Sequence, residues 1–203
     1  MQSAQHSETA AFTRGDERIE TSTSHALEIW QFINIVLLTL VTGVFWGTWL
    51  GLSRSMTSLS ETTFLEVAHA MIRNLGTIMA ILMPAAMLAT LPVLYLLYRR
   101  RSRAFYPALL GLVLFVVALL ITLLVEVPLD IEFEKWTLTT MPSNWQELRA
   151  RWEWWHVVRS WVSVAGLALL LAGAFFWRDN PKSSRLNQGR QFLWQERARR
   201  SGG

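Results

Sequence analysis

The chain has 203 residues, is 52% hydrophobic with eleven tryptophans, and carries a formal net charge of +4. It holds no cysteine, which excludes disulfides, thiolate metal sites, c-type haem attachment and a dithiol route to quinone reduction, on either side of a membrane. The positive balance is a topology signal and not a nucleic-acid footprint, because the apolar residues come in long blocks.

Residues 1–26 are polar and Ser/Thr-rich and lack a basic stretch leading into a short apolar one. They read as a disordered tail before an uncleaved anchor. A bilayer core takes roughly 20 apolar residues in helical form. Residues 29–53, 75–98, 104–125 and 160–177 lack charged side chains over comparable lengths, which predicts four transmembrane helices. A soluble core would interrupt such runs every turn, whereas Gln31 and Asn34 are isolated exceptions.

Span one contains Gly43, Gly47 and Gly51 at four-residue spacing, a ridge that lets another helix approach closely. A homo-oligomer through this ridge is one expected partner arrangement. Arg54, Glu61, Glu66, His69 and Arg73 then mark a loop. Span two carries Gly76, Ala80 and Pro84 in register, followed by Pro92, and a kink is expected near Pro84. Arg99, Arg100, Arg101 and Arg103 fill a short connection, so spans two and three are antiparallel neighbours.

Pro128 is expected to end span three. The stretch 126–155 is long for a connector and reads as partly structured, with a short segment over 130–138. Pro142, Ser143 and Asn144 resemble a helix start, so span four continues a helix begun outside the apolar run. Trp145, Trp152, Trp154, Trp155 and Trp161 would form an aromatic belt at its boundary. A basic tail over 178–203 follows, with Phe192 and Trp194 expected to dip into lipid. Positive charge is retained on the cytoplasmic side, so the arginine connection and this tail predict both termini inside. The expected architecture is all-α: a four-helix transmembrane bundle over 27–177 between two tails.

Trp152, His156 and Arg159 recur at helical spacing, and Ser163 and Gly166 continue the stripe. A charged residue at a helix end that faces its own bundle is a functional hypothesis by default. The deduced topology brings His69, Asn74, Glu126, Asp130, Trp152, His156 and Arg159 to one interfacial pocket on the outer side. An imidazole suits proton abstraction, and a neighbouring guanidinium suits stabilising the resulting anion. Aromatic walls would hold a flat apolar substrate arriving from lipid. The plainer readings stand beside this. The tryptophans serve as interfacial anchors, Arg159 pairs with Glu126 or Asp130, and the loop histidines have no special role.

The run 125–130, containing Pro128 and Asp130, is followed by Trp136 and the run 148–159, containing Trp152, His156 and Arg159. Together they resemble the anthrone oxygenase–like family of small four-span membrane proteins, over approximately residues 27–177. Asp130 departs from the commoner Pro-x-Asn form and adds a charge. Asn or His occupies the place of His156 in the motif, and Arg that of Arg159. The resemblance implies a bacterial inner-membrane location and cofactor-independent oxygenation of a polyketide anthrone to an anthraquinone. In that scheme His156 takes the benzylic proton and Arg159 stabilises the anion, which reacts directly with dioxygen. No metal or flavin is then needed, in keeping with the missing nucleotide fingerprint. Two alternatives stay open. One is a divalent metal on His69, His156 and Glu126 or Asp130. The other is a non-enzymatic membrane protein with a structural or partner-binding role.

Overall fold

The computed structural model describes the backbone of residues 2–53, 55 and 58–176, with side chains from 25 to 51, at 55, and from 58 to 175. The described residues form helices and turns without strands. Helix α1 spans Gln2–Thr48 and runs into a π-helical turn, Trp49–Ser53. Helix α2 is Glu61–Arg99 and α3 is Phe105–Ile121. A second π-helical turn, Thr122–Glu126, joins α3 to α4 (Val127–Glu134), and α5 is Trp145–Phe176. Four stretches are long and apolar enough to cross a membrane: His25–Gly51, Glu61–Arg99, Phe105–Glu134 and Trp145–Phe175. Exposed Phe32, Ile81, Leu124 and Phe175 suit an acyl-chain environment. The expected basic tail, including Phe192 and Trp194, lies outside the described residues.

Several boundaries differ from the sequence expectation. The backbone of α1 is helical back to Gln2, through the stretch expected to be disordered; Gly15 is its one glycine before the span and it has no proline. Residues 61–74 are not a loop but the first turns of α2. Ser60 caps them, its hydroxyl accepting the Thr63 N–H, with Glu61 in the first turn. Their charges, Glu61, Glu66 and Arg73, face outward, while Phe64, Leu65 and Ala68 are buried. Amphipathic periodicity outweighed the local charge density there.

Pro128 does not end the third span. It sits in the first turn of α4, where its missing N–H costs little. The π-helical turn before it changes the register, and the Val127 N–H bonds the Thr122 carbonyl five residues back. The helical path therefore continues to Glu134, and of the short segment expected over 130–138 only residues 130–134 are helical, as the end of α4. Helix α5 does begin outside its apolar run, with the Asn144 carbonyl accepting the Glu147 and Leu148 N–H groups.

Helix α1 packs on α2 and α5, and α3 packs most extensively on α5. The close glycines are in the α3–α5 seam. A Cβ on Gly111 would lie 2.8 Å from Leu170 Cγ and 2.9 Å from the Gly166 carbonyl oxygen. A Cβ on Gly166 would meet the Phe115 ring at 3.1 Å. The ridge of Gly43, Gly47 and Gly51 packs against nothing: among the described residues no atom lies within 4 Å of a Cβ placed at any of them. Asn34 is buried and fastens α1 to α2, its amide donating to the Ala86 carbonyl at 3.1 Å and to Thr90 Oγ1 at 2.7 Å.

At the end remote from the arginine connection, Phe64, Leu129, Phe133, Trp136, Trp145 and Trp152 form a separate aromatic core. Trp145 and Trp152 are thus interior residues and not members of an interfacial belt, whereas Trp154 and Trp161 are exposed.

Candidate functional site

Helix α5 carries the site stripe. Trp152, His156, Arg159, Ser160 and Ser163 are all buried, as their spacing on one helical face requires. The face meets α1 at Phe45 and the π-helical turn at Thr122 and Glu126.

The His156 imidazole is held at both nitrogens. Nε2 lies 3.1 Å from the Phe45 carbonyl oxygen, and Nδ1 lies 2.6 Å from Arg159 Nη2. A carbonyl can only accept and a guanidinium can only donate. The ring is therefore the neutral Nε2–H tautomer, donating to Phe45 and accepting from Arg159. Glu126 Oε2, 3.6 Å from Nδ1, is then a neighbour and not a hydrogen-bond partner of the ring. Ser160 steadies the same corner, its hydroxyl reaching the His156 carbonyl at 2.8 Å.

Arg159 is the hub. Nη2 lies 3.3 Å from Glu126 Oε2, Nη1 donates to Thr122 Oγ1 at 3.2 Å, and the guanidinium carbon sits 4.2 Å from the centre of the Phe45 ring. That set offsets much of the cost of burying the cation. Glu126 is 1% exposed. Its Oε1, and the Nε of Arg159, find no hydrogen-bond partner among the described residues. Buried polar atoms are normally satisfied, so an orphaned carboxylate oxygen marks a place where another group belongs. Asp130, one helical turn beyond Glu126, accepts the Trp152 indole N–H at 3.0 Å on Oδ1.

These groups line one side of a cavity of about 290 Å³. Its remaining walls come from Val44, Phe45 and Thr48 of α1, from Met71, Leu75, Met79 and Met83 of α2, and from Leu119 and Leu123. The cavity is not enclosed. Gly76, Ala80 and Pro84 on α2, and Leu123 and Val127 on the π-helical turn and the start of α4, line it and are also exposed, so its mouth lies between α2 and the junction of that turn with α4. A Cβ on Gly76 would meet no described atom within 4 Å.

Five of the seven predicted site residues meet here: Glu126, Asp130, Trp152, His156 and Arg159. Two do not. His69 lies on α2, its Nε2 2.9 Å from the Phe133 carbonyl oxygen at the end of α4, where it holds a helix terminus. Asn74 is exposed on α2 and contributes nothing to the cavity lining. With His69 so placed, the metal alternative loses its geometry: no three His, Cys, Asp or Glu side chains among the described residues are arranged to hold an ion.

Sequence reading missed Phe45, Thr122 and the methionine wall. Thr122 had a signal, being a hydroxyl in an apolar run four residues before Glu126. So did Met71, Met79 and Met83, spaced in multiples of four on one helix. Phe45 had none, because its backbone carbonyl does much of the holding.

Residues 73–169 match the family model described as anthrone oxygenase. The match bears out the resemblance over a segment narrower than 27–177, one that holds all the cavity residues of α3, α4 and α5 and omits α1. Comparison with curated proteins found no match, and neither did comparison with solved structures.

Proposed function

We propose, taking the anthrone oxygenase–like segment at residues 73–169 as the premise, that the protein is a membrane enzyme oxygenating a flat apolar, anthrone-like substrate. The observation that carries this reading is the pairing of an apolar cavity, open at the side, with a buried Glu126–Arg159–His156 cluster on its wall. The volume, about 290 Å³, approaches the lower end of the roughly 300–1,000 Å³ seen for small-molecule sites.

The chemistry suits the residues. A benzylic C–H on the methylene across the central ring from the carbonyl gives up its proton, and the electron pair is delocalised through the aromatic system to the carbonyl oxygen as an enolate. Arg159 is fixed by Thr122 and Glu126 before any charge develops, so stabilising that anion needs little reorganisation. The enolate reacts with dioxygen, the peroxide takes a proton, and loss of water leaves the quinone. One anthrone and one dioxygen give one quinone and one water.

Topology follows the arginines. With the 99–103 connection and both termini in the cytoplasm, the cavity lies toward the outer leaflet of a bacterial inner membrane. Purified protein mixed with anthrone in air should form anthraquinone faster than the uncatalysed control, and an Arg159→Ala variant should lose that gain. Equal rates with and without protein would defeat the reading.

A non-catalytic role is favoured by one observation, the unpacked Gly43, Gly47 and Gly51 ridge. In that reading a second copy of the chain covers it. Gly47→Leu should then abolish crosslinked dimers in lipid, and unchanged crosslinking would discard it.

A further inference from the structure

The sequence points to His156 as the base, but neither of its ring nitrogens is free. Nε2 already donates to the Phe45 carbonyl, and the Nδ1 lone pair already accepts from Arg159 at 2.6 Å. To take a substrate proton, His156 would have to break its contact with a guanidinium and hold a new N–H against it.

Glu126 presents the opposite arrangement. One carboxylate oxygen, Oε2, is held by Arg159 at 3.3 Å. The other, Oε1, has no partner among the described residues and almost no accessible surface of its own; the residue is 1% exposed and lines the cavity, so a substrate meets Oε1 only after the carboxylate turns toward it. Asp130 is the competing carboxylate on that wall. It too has one oxygen held, Oδ1 by the Trp152 indole at 3.0 Å; it differs from Glu126 in being less deeply buried and in standing outside the Arg159 ion pair.

We propose that Glu126, through Oε1, is the group that accepts the substrate's proton, and that His156 is a positioning residue that orients Arg159. This rests on the reading of the cavity as a site for an anthrone-like molecule. In the step, the benzylic C–H bond breaks, an O–H bond forms on Glu126 Oε1, and the electron pair remains on the substrate as an enolate. Arg159, released from part of its pairing with the carboxylate, faces the new anion. The negative charge is passed from protein to substrate beside a fixed cation, so the site's net charge does not change during the transfer. Glu126 is the last residue of the π-helical turn and is buried, while Val127 beside it is exposed.

Proton transfer can be read without oxygen. Anthrone is incubated anaerobically with the full-length protein in deuterated buffer, and exchange of its methylene protons is followed by NMR. Binding of anthraquinone, which has no such proton, is measured by tryptophan quenching. Wild-type protein should bind the quinone and accelerate exchange. Glu126→Gln should bind the quinone but lose about 10²-fold or more of that acceleration, the usual worth of a positioned base. Glu126→Asp, with a carboxylate of shorter reach, should recover part of it, and His156→Gln should keep the larger share. Should Glu126→Gln fail to bind the quinone, the Asp variant decides: recovered exchange supports the assignment, and intact quinone binding without exchange overturns it. Exchange that survives Glu126→Gln overturns it, whatever His156→Gln does, and leaves the oxygenase reading intact. A wild-type protein that neither binds quinone nor promotes exchange removes that reading and this one together.

Discussion

Arg159 joins three elements through one side chain: α5, which carries it, the π-helical turn through Glu126 and Thr122, and α1 through the Phe45 ring. Removing it alone strands Glu126 in a buried position without a counter-charge. Breaking one partner of such a pair costs about 3–5 kcal/mol, whereas replacing both with apolar groups of similar size is often near neutral. Arg159→Met should therefore lower stability by about that amount in chemical denaturation in detergent. The Glu126→Leu/Arg159→Met double variant should regain most of it. A double variant as unstable as the single one would show that the pair is not the main term. Trp152→Phe removes the indole donor to Asp130 and should cost about 1–3 kcal/mol, the range for leaving a buried acceptor unpaired, in the same denaturation measurement. The Trp152, His156 and Arg159 stripe was legible in the sequence because helical spacing fixes which side chains share a face. Its partners were legible only where they are chemically distinctive. Glu126 and Asp130 announce themselves, whereas a carbonyl on Phe45 could be supplied by any residue. His69 and Asn74 were misplaced because the segment 61–74 was read as a loop, which left their direction free.

Among the elements, the seam between α3 and α5 and the exposed face of α1 make opposite uses of glycine. Gly166→Val would drive its Cβ into the Gly111 carbonyl and the Phe115 ring, both already 3.1 Å away. Overpacking of that kind costs about 1–3 kcal/mol, and here backbone as well as side chain must move. Thermal unfolding in detergent should register the loss. Gly43→Ala meets open space inside a helix and should not lower the monomer's melting temperature in the same assay, and helix propensity, about 0.5–1 kcal/mol in favour of Ala, should raise it slightly. In the sequence both sets appear as small residues at helical spacing. Composition tells that a helix can be approached closely, but not that a neighbour does so. The end of span three was misjudged for a related reason. Proline at 128 signals an interruption, yet a turn of different register lets the helix start again beneath it.

At the scale of the whole molecule, the four spans were readable because a bilayer sets a minimum apolar length, and nothing in packing can disguise it. The cavity was not readable, since it depends on how α2 stands relative to the π-helical turn after α3, where exposed Ala80 and Leu123 both line its mouth. That opening makes a prediction that belongs to no single residue. Ala80→Trp should close it and raise the apparent KM for anthrone severalfold while changing kcat little. A fall in kcat at unchanged KM would mean that the substrate enters by another path.

A doorway that faces acyl chains changes which concentration the protein senses. On the oxygenase reading its substrate would arrive from a two-dimensional reservoir, so the relevant variable would be moles of substrate per mole of lipid, not per litre of buffer. Adding empty phospholipid to a fixed amount of substrate and enzyme should slow turnover by dilution within the bilayer, and more oil-soluble congeners should be favoured in proportion to how strongly they partition. With its mouth at Gly76, Ala80 and Pro84 opening sideways, such an enzyme would make the membrane itself a part of its specificity.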